Sequence, residues 1–235
     1  MLDKSWIIEK LDSVASTQNY IKQFYKAGQR VVIAREQTNG FGQKDRKWES
    51  YLGNLQVSLA FPCTEVNKHQ ITIVAIIALG KSLSNIKVDL KYQYKWVNDL
   101  LIEGRKVAGI LCETQGDTVF LGLGVNLIKN PAGNFSTHLG NYGIKISPEE
   151  LLSLFLENFT VEFNSWLDNG FKPVAEAWKS SAFCLGEEVK VALETGEEIT
   201  GILLDFNESG LIILKEDEKV ALLSGTFLGK NSNII

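Results

Sequence analysis

Three strand-like segments separated by two short turns most constrain the fold of this chain. They are YQYKWVNDLLI at 92–102, VAGILCET at 107–114 and TVFLGLGVNL at 118–127, with EGRK and QGD between them. Runs of this length, rich in β-branched and aromatic residues and bounded by glycine turns, are typical of antiparallel hairpins. The sequence therefore predicts a three-stranded antiparallel meander, against which the rest of the chain has to pack.

Helices and further strands are expected on both sides of the meander. Strand-like runs lie at 5–10, 31–34 and 53–62, and helical patterns run from Ser16 to Gly28 and occupy 69–84 and 173–181. The segment SPEE at 147–150 combines a capping serine with proline and glutamate, which predicts the start of a helix that ends at Asn169 and Gly170. We therefore expect an α+β protein with a mixed, largely antiparallel sheet flanked by helices.

The last fifty residues have a different pattern of apolar and turn-forming residues. Beyond Cys184, short apolar runs alternate with the turns ETGE, NESG and EDE. Strands of this length and spacing are typical of a small β-barrel, held by its own core and by docking on a larger unit. We therefore expect a main domain at 1–182 and a small barrel at 183–235.

Composition argues against several classes of protein. The 235 residues are 45% hydrophobic, enough for an ordinary core, and the net charge of -4 without a basic tail argues against DNA as a principal partner. The longest apolar run, at 71–79, is about half of the ~20 residues that span a bilayer, and the N-terminus lacks the pattern of an export signal. We therefore expect a cytoplasmic protein with neither a nucleic-acid nor a membrane partner.

Cysteine and histidine are too scattered to suggest metal or nucleophilic chemistry. Cys63, Cys112 and Cys184 are far apart, odd in number and set in apolar surroundings, which is typical of buried reduced thiols. His69 and His138 are the only histidines, and neither lies near a cysteine. We therefore reject a zinc site and a Ser/His or Cys/His dyad, for which the sequence gives weak support.

A glycine loop, QTNGFGQKDRKW at 37–48, is the first candidate binding element. Gly40 and Gly42 permit positive φ and close backbone approach, and Lys44, Arg46 and Lys47 outnumber the acid Asp45. Such a loop either turns its N–H groups toward an anion or is a mobile surface loop. The segment GKS at 80–82 lacks the leading glycine of a P-loop, and GLGVNL at 122–127 lacks the third glycine of a dinucleotide fingerprint.

The meander carries more polar chemistry than a structural strand usually does. KWVND at 95–99 places an ammonium, an indole, an amide and a carboxylate within five residues, and Lys106 and Gly109 follow on the next strand. The alternative is an exposed strand face with one buried indole, Trp96, and an ordinary hairpin-end charge.

Two shorter segments are further candidates. GLGVN ends in Asn126, whose amide either reads the edge of a base or simply forms a turn. STQN at 16–19 supplies hydroxyls and amides at a helix start, where they either bind a polar ligand or only cap the helix.

The order and spacing of these segments resemble those of the biotin protein ligases, over almost the whole chain. That family has a serine-threonine-asparagine motif, a glutamine before a GRGRxGRxW loop, and the motifs KWPND, KxAGIL and GxGxN. The matching residues here are Ser16, Thr17, Gln37, Gly40, Gly42, Arg46, Trp48, Lys95, Trp96, Asn98, Asp99, Lys106, Ala108, Gly109, Ile110, Leu111, Gly122, Gly124 and Asn126. The resemblance implies a class II synthetase-like biotin/lipoate ligase core followed by an SH3-like barrel, in the class without a DNA-binding repressor domain.

The resemblance also implies a reaction and the residues that carry it. Biotin attacks the α-phosphate of ATP to form biotinyl-5'-adenylate, and a lysine of a biotin carboxyl carrier protein then attacks that anhydride. Lys106 and Arg46 are the implied catalytic residues, with Asp99 as a ligand of Mg²⁺. The implied biotin-binding residues are Ser16, Thr17, Gln18, Gln37, Gly40, Phe41, Gly42, Gln43, Lys106 and Gly109. The implied ATP- and adenylate-binding residues are Gln43, Lys44, Arg46, Trp48, Asn98 and Asn126.

The loop departs from the family pattern at three positions. Phe41 and Gln43 stand where the family has arginines, and Asp45 replaces a glycine. A backbone contact at position 41 survives the change, whereas the charge at position 43 is lost. Since that second arginine helps the family to retain the adenylate, we expect a leakier intermediate unless Lys44 or Arg46 takes its place.

Two rival functions and two further questions stay open at this point. A lipoate ligase or octanoyltransferase shares the core and a comparable lysine, although the full motif set with the terminal barrel favours biotin. A catalytically weakened biotin-binding module is suggested by the altered loop. The acceptor is the carrier of acetyl-CoA carboxylase or of a related carboxylase, and a homodimer paired through sheet edges is an open alternative.

Overall fold

A seven-stranded sheet forms the centre of the molecule. The computed structural model describes residues 1–65, 67–230 and 233–234. The strands of this sheet are Ile7–Val14 (β1), Arg30–Gln37 (β2), Leu55–Pro62 (β3), Tyr92–Lys95 (β4), Asp99–Ile102 (β5), Arg105–Gln115 (β6) and Thr118–Val125 (β7). Their order is β1-β2-β3-β7-β6-β5-β4, and every neighbouring pair is antiparallel except β1 and β2. The prediction of a mixed, largely antiparallel sheet is confirmed.

The first strand of the expected meander is a hairpin. The segment 92–102 turns back on itself, so that Lys95 of β4 pairs with Asp99 of β5. Trp96 in the turn is 4% exposed, and Asn98 fastens the turn to β6 by donating from Nδ2 to the Ile110 carbonyl at 2.7 Å. The prediction of one strand over 92–102 was therefore wrong, because burial of the indole in the core overrides continuous strand propensity.

The described part of the chain has four α-helices, which pack on the sheet or on one another. They are Thr17–Phe24 (α1), Lys68–Ile86 (α2), Pro148–Asn169 (α3) and Lys172–Lys179 (α4). Ser16 caps α1 by accepting from Asn19 N, and Ser147 forms the expected capping box with Glu150. Helix α1 ends at Phe24, four residues before the expected stop at Gly28, which instead takes a φ of 77° in the turn that leads to β2.

The apolar core lies between the sheet and helices α2 and α3. Aromatic side chains of α3 run along it, with Phe159 packed against Phe61 of β3 at 5.6 Å between ring centroids. Cys63 and Cys184 are buried, and burial raises the pKa of the Cys63 thiol, as expected for structural thiols.

Within the described ranges, none of the helices combines the length and the apolar character needed to cross a bilayer.

A second, six-stranded antiparallel sheet follows α4. Its strands are Glu188–Ala192 (β8), Glu198–Asn207 (β9), Gly210–Lys215 (β10), Glu218–Leu222 (β11), Thr226–Lys230 (β12) and Asn233–Ile234 (β13). The order is β11-β10-β9-β8-β12-β13, and among the described residues no pairing joins the two ends, so the sheet is open. Trp178 of α4 is fully buried against Phe206 of β9, with ring centroids 4.7 Å apart, and this contact seats the second sheet on the helices.

Candidate active site

A cavity of about 190 Å³ opens at the face of the large sheet between α1, the glycine loop and β6. Most of the residues singled out in the sequence line it, although they come from five separate segments. The residues that line it are Ser16, Thr17, Gln18, Gln37, Phe41, Gly42, Gln43, Arg46, Lys47, Trp48, Val57, Ser58, Asn98, Asp99, Lys106, Gly109, Ile110, Leu111, Gly122, Leu123 and Gly124. Three candidate residues, Gly40, Lys44 and Asn126, do not line it.

One end of the cavity is a network of neutral polar groups. Thr17 donates its backbone N–H to Gln37 Oε1 at 2.9 Å, and its hydroxyl reaches the same oxygen at 3.0 Å. The Thr17 and Ser58 hydroxyls share a hydrogen bond of 2.9 Å. Ser58 and Thr17 are nearly inaccessible to solvent, so this end can hold an uncharged polar ligand group without bulk water.

An ion pair forms the other end. Lys106 Nζ lies 2.6 Å from Asp99 Oδ1, with side chains 34% and 17% exposed. Gly109 leaves room for it, since a Cβ at that position would lie 3.0 Å from Lys106 Nζ. A cation held beside this opening is suited to a carboxylate or a phosphate.

A β-bulge decides that Lys106 faces the cavity. Leu100 pairs with Ala108 but Leu101 pairs with Lys106, so that Val107 is an extra residue in β6. Regular alternation would place Lys106 and Gly109 on opposite faces, and the extra residue brings them to the same face. On its other side, the backbone of Lys106 forms hydrogen bonds with the segment 135–137. The residue is therefore held on both sides, by β5 and by this segment.

The glycine loop is a small hairpin closed by Trp48. Trp48 N donates to the Gly40 carbonyl at 2.9 Å, and Gly42 N donates to the Arg46 carbonyl at 2.7 Å. Neither glycine uses the positive φ that it permits, and the left-handed residue of the loop is Lys44, with a φ of 54°. Gly40 is needed instead for close approach, because a Cβ there would lie 2.9 Å from the Trp48 carbonyl oxygen.

The indole of Trp48 covers the sheet at the middle of the cavity. It lies against Gly124 of β7, where a Cβ would come within 2.4 Å of the ring atom Cε2. The Lys106 ammonium is 5.6 Å from the centre of the same ring. Gly124 therefore provides the flat seat on which the loop tryptophan rests.

Two loop cations contact the second sheet. Lys44 Nζ and Arg46 Nη2 both donate to Thr226 Oγ1, at 3.0 and 3.2 Å. Nearby, Lys95 Nζ lies 5.6 Å from the centre of the Phe227 ring, and burial lowers the pKa of Lys95, an effect that Asp99 opposes. Lys95 thus belongs to the junction between the sheets rather than to the cavity lining.

Asn126 is placed just beyond the cavity wall. It is 2% exposed and donates from Nδ2 to the Thr137 carbonyl at 3.1 Å. Its Oδ1 is buried with no donor among the described residues. Gly122, Gly124 and Asn126 alternate along the chain, so the Asn126 side chain leaves the backbone on the same face as the two glycines that line the cavity.

The charges in the cavity are mostly positive. Among the described residues, Arg46, Lys47 and Lys106 line it against one acid, Asp99, although the whole chain has a net charge of -4. Within the described ranges, no cluster of three or more His, Cys, Asp or Glu could hold a metal ion. The arrangement favours anionic ligands, and one carboxylate suits a magnesium ion that is held largely by phosphates.

Lys47 and Ser58 line the cavity but were not among the predicted site residues. Ser58 is a completely buried hydroxyl inside the apolar strand LQVSLAF. A polar residue with no exposed face is a signal that could have identified it, because buried hydroxyls need partners. Lys47 carries no such signal, since the loop hairpin alone decides which of its cations reach the cavity.

Comparisons with known proteins agree with this geometry. The model of the biotin/lipoate A/B protein ligase family matches residues 11–127. The biotin--[acetyl-CoA-carboxylase] ligase of Paracoccus denitrificans is 34% identical over 206 residues, which are 80% of this chain and 85% of that protein. The bifunctional ligase/repressor BirA of Bacillus subtilis (strain 168) is 28% identical over 205 residues, which are 81% of this chain and 62% of that protein.

A solved structure shares the whole architecture. The biotin protein ligase from Aquifex aeolicus, in complex with biotin and ATP, is 29% identical and superposes with a TM-score of 0.86, covering 94% of this chain and 97% of that one. The family model covers the residues that line the cavity, and the superposition, over 94% of this chain, extends to the second sheet. The chain belongs to the biotin/lipoate A/B protein ligase family, among its biotin protein ligases.

Proposed function

We propose that this biotin protein ligase carries out both steps of biotin transfer in the one cavity described above. In the first step an oxygen of the biotin carboxylate attacks the α-phosphorus of ATP, and pyrophosphate leaves. In the second step the amine of a carrier-protein lysine attacks the acyl carbon, AMP leaves with the bonding electrons, and the amine loses a proton. The single observation that carries the proposal is the pairing of a neutral polar end with the Lys106–Asp99 end in one cavity.

The polar end is assigned to the ring system of biotin. The side chains that would bind it are Ser16, Thr17, Gln18 and Gln37, with Gly40, Phe41, Gly42, Gln43 and Gly109 lining or shaping the path of the tail. Buried hydroxyls and amides complement a ureido group, which offers N–H donors and a carbonyl acceptor. A neutral end also avoids the desolvation cost of a charge.

Lys106 is assigned to the point where the two substrates meet. Two anions, a carboxylate and a phosphate, have to approach each other in the first step, and a fixed cation lowers the repulsion between them. Removing one preorganised donor of this kind typically costs ~3 to 4 kcal/mol of transition-state stabilisation. Because Asp99 and the backbone of β6 already hold Lys106, little reorganisation is needed when the substrates arrive.

The loop is assigned to ATP and to the adenylate. Trp48 would pack on the nucleotide from its seat on Gly124, while Gln43, Lys44, Arg46 and Asn98 would contact its polar groups. Arg46 lines the cavity and is a second catalytic candidate, whereas Lys44 would have to leave Thr226 to take part. The unpaired Oδ1 of Asn126 suits the amino group of adenine.

Magnesium is assigned to Asp99, the only carboxylate among the described lining residues. A single carboxylate with phosphates and waters is a common magnesium site. When bound, the ion would neutralise charge on the departing pyrophosphate.

The surroundings of the catalytic step are also part of the proposal. The carrier is a biotin carboxyl carrier protein of acetyl-CoA carboxylase or a related carboxylase, and the enzyme works in the cytoplasm without nucleic acid. Residues 1–182 form the biotin- and ATP-binding domain, and residues 183–235 form a second domain that we assign to the SH3-like type, with the described strands in an open sheet. A homodimer would use the outer edge of β1, which pairs only with β2 in the described part of the chain.

Transfer of labelled biotin to a carrier domain tests the proposal. We expect Lys106→Ala to reduce both pyrophosphate release and transfer by about 10²- to 10³-fold. Lys129→Ala, an exposed lysine outside the cavity, is the matched control and should retain wild-type rates. Undiminished transfer by Lys106→Ala would refute the assignment of the catalytic lysine.

Ligand binding and pyrophosphate release by the wild type separate the rival functions. Calorimetry with biotin and with lipoate should give binding to biotin, whereas preference for lipoate would indicate a lipoate ligase. No pyrophosphate release by the wild type with biotin, ATP and Mg²⁺ would indicate a binding module instead.

A further inference from the structure

The orientation of one amide in the cavity is set by charged residues behind it. Gln18 lies in the first turn of α1, is 3% exposed and lines the cavity. Its Nε2 donates to Glu113 Oε2 at 2.9 Å and to the Phe120 carbonyl at 3.1 Å. Lys22 Nζ lies 2.6 Å from the same Glu113 oxygen. These contacts fasten α1 to the strand pair β6–β7.

The two ends of the Gln18 amide are therefore not interchangeable. A backbone carbonyl only accepts, and the Glu113 oxygen that meets Lys22 also acts as an acceptor, so both partners require the amide nitrogen. Reversing the amide would place its oxygen against two acceptors. The Phe120 carbonyl and the Lys22–Glu113 pair thus determine together that Oε1 points the other way.

The oxygen on the other side has no protein donor. Gln18 Oε1 is buried and has no hydrogen-bond partner among the described residues. It faces Gly122 of β7, another lining residue, where a Cβ would lie 3.0 Å from this oxygen. A buried acceptor without a donor is costly, and a ligand N–H in the cavity would remove that cost.

We propose that Glu113 and Lys22 are positioning residues that fix the Gln18 amide and so select ligands whose ring carries an N–H group. This inference rests on the proposed function and adds the basis of its substrate choice. The ureido ring of biotin has two N–H donors, whereas the dithiolane ring of lipoate has none. A site built to accept a hydrogen bond rejects an analogue without the donor, because the acceptor stays unpaired.

Two variants test the proposal, with three ligands. Gln18→Met has a similar volume without the acceptor and should weaken the binding of biotin and of desthiobiotin, which keeps the ureido ring, by about thirtyfold. Glu113→Gln removes the charge that orders the amide and should weaken both by about tenfold. In Gln18→Met the affinity for lipoate should rise rather than fall, because no buried acceptor is left unpaired, and in each variant the KM for ATP should change by less than about twofold.

The controls distinguish positioning from folding. Glu162→Gln breaks the Lys81–Glu162 ion pair, which is remote from the cavity, and should leave biotin affinity unchanged. Lys22→Met repeats the test through the second charge, in case Glu113→Gln is unstable. Equal losses for biotin, desthiobiotin and lipoate, or an unchanged biotin affinity in folded Glu113→Gln and Lys22→Met, would overturn the proposal. A wild type that binds lipoate but not biotin would instead refute the proposed function.

Discussion

The glycine loop at 37–48 and the strand pair β5–β6 both bring cations to the cavity, but the two regions hold these cations differently. Lys106 on β6 is fixed by strand pairing on one side, by the segment 135–137 on the other and by Asp99 at 2.6 Å. The loop is closed by a few backbone hydrogen bonds, and the side chains of Lys44, Arg46 and Lys47 are exposed. One region is preorganised for charge that develops at a fixed point, and the other is free to adjust when a nucleotide arrives.

This contrast has a consequence for mutations. Changes at the fixed end should alter the catalytic step, because there the position of one charge matters. Changes in the loop should alter nucleotide binding and retention of the intermediate, with little effect on stability, since few buried contacts are lost.

Among the variants that compare the two regions, the largest effect is expected where they meet. Gly124→Ala would place a Cβ within the indole of Trp48 and displace the loop from its seat. We expect kcat/KM for ATP to fall about a hundredfold, as for a misplacement of about 1 Å, with a smaller change in biotin affinity. Steady-state kinetics with each substrate varied in turn measure the split.

A double-mutant cycle provides the control for that prediction. Once Trp48→Ala has removed the indole, Gly124→Ala should cause little further loss. Additive losses in the double variant would show that the glycine acts independently of the tryptophan.

A smaller effect is expected at the fixed end. Gly109→Ala introduces a Cβ 3.0 Å from Lys106 Nζ and 3.1 Å from its Cε, so the flexible end of the lysine has to move. We expect adenylate formation to slow about tenfold. The melting temperature should change little, and a full rate in a normally folded variant would contradict the role of a precisely held ammonium.

Retention of the intermediate tests the role of the loop. Gln43→Arg adds a cation to the lining and should reduce release of free biotinyl-adenylate about fivefold, corresponding to roughly 1 kcal/mol. Labelling of bystander lysines gives a second measurement. Gln115→Arg places the same charge on an exposed position outside the cavity and should leave the release of free biotinyl-adenylate unchanged. Equal release of biotinyl-adenylate from the wild type and Gln43→Arg would contradict the prediction.

The smallest expected effect concerns stability at the junction of the sheets. Burial lowers the pKa of Lys95 from its ordinary value of 10.5, so the charged form of this side chain destabilises the folded state. Lys95→Met keeps the aliphatic stem and should raise the melting temperature near neutral pH by about 2–4 °C.

The pH dependence checks the cause. With a lowered folded pKa, the unfolded state binds more protons between the folded pKa and 10.5, so wild-type stability rises with pH across that window. The advantage of Lys95→Met is therefore full below the folded pKa and disappears as pH rises toward 10.5. Lys91→Met, an exposed neighbour, should show no such trend.

Several elements could be predicted from local sequence because local contacts decide them. The capping box at Ser147 and Glu150 is closed within four residues, and α3 begins where the sequence predicts. The motif residues of the loop and of β5–β6 were identified from their order along the chain, and most of them line the cavity. The hairpin at 92–102 was missed, because only the core around Trp96 makes the chain turn there.

The sequence by itself determined the α+β class, the long capped helix, the glycine loop and the set of side chains able to handle anions, since these follow from residue type and spacing. Only the tertiary structure decided that Lys106 and Gly109 share a face, because the extra residue Val107 in β6 reverses the alternation that the sequence alone implies. It also decided which loop cations reach the cavity and which meet Thr226, because those contacts join residues about 180 positions apart in the chain.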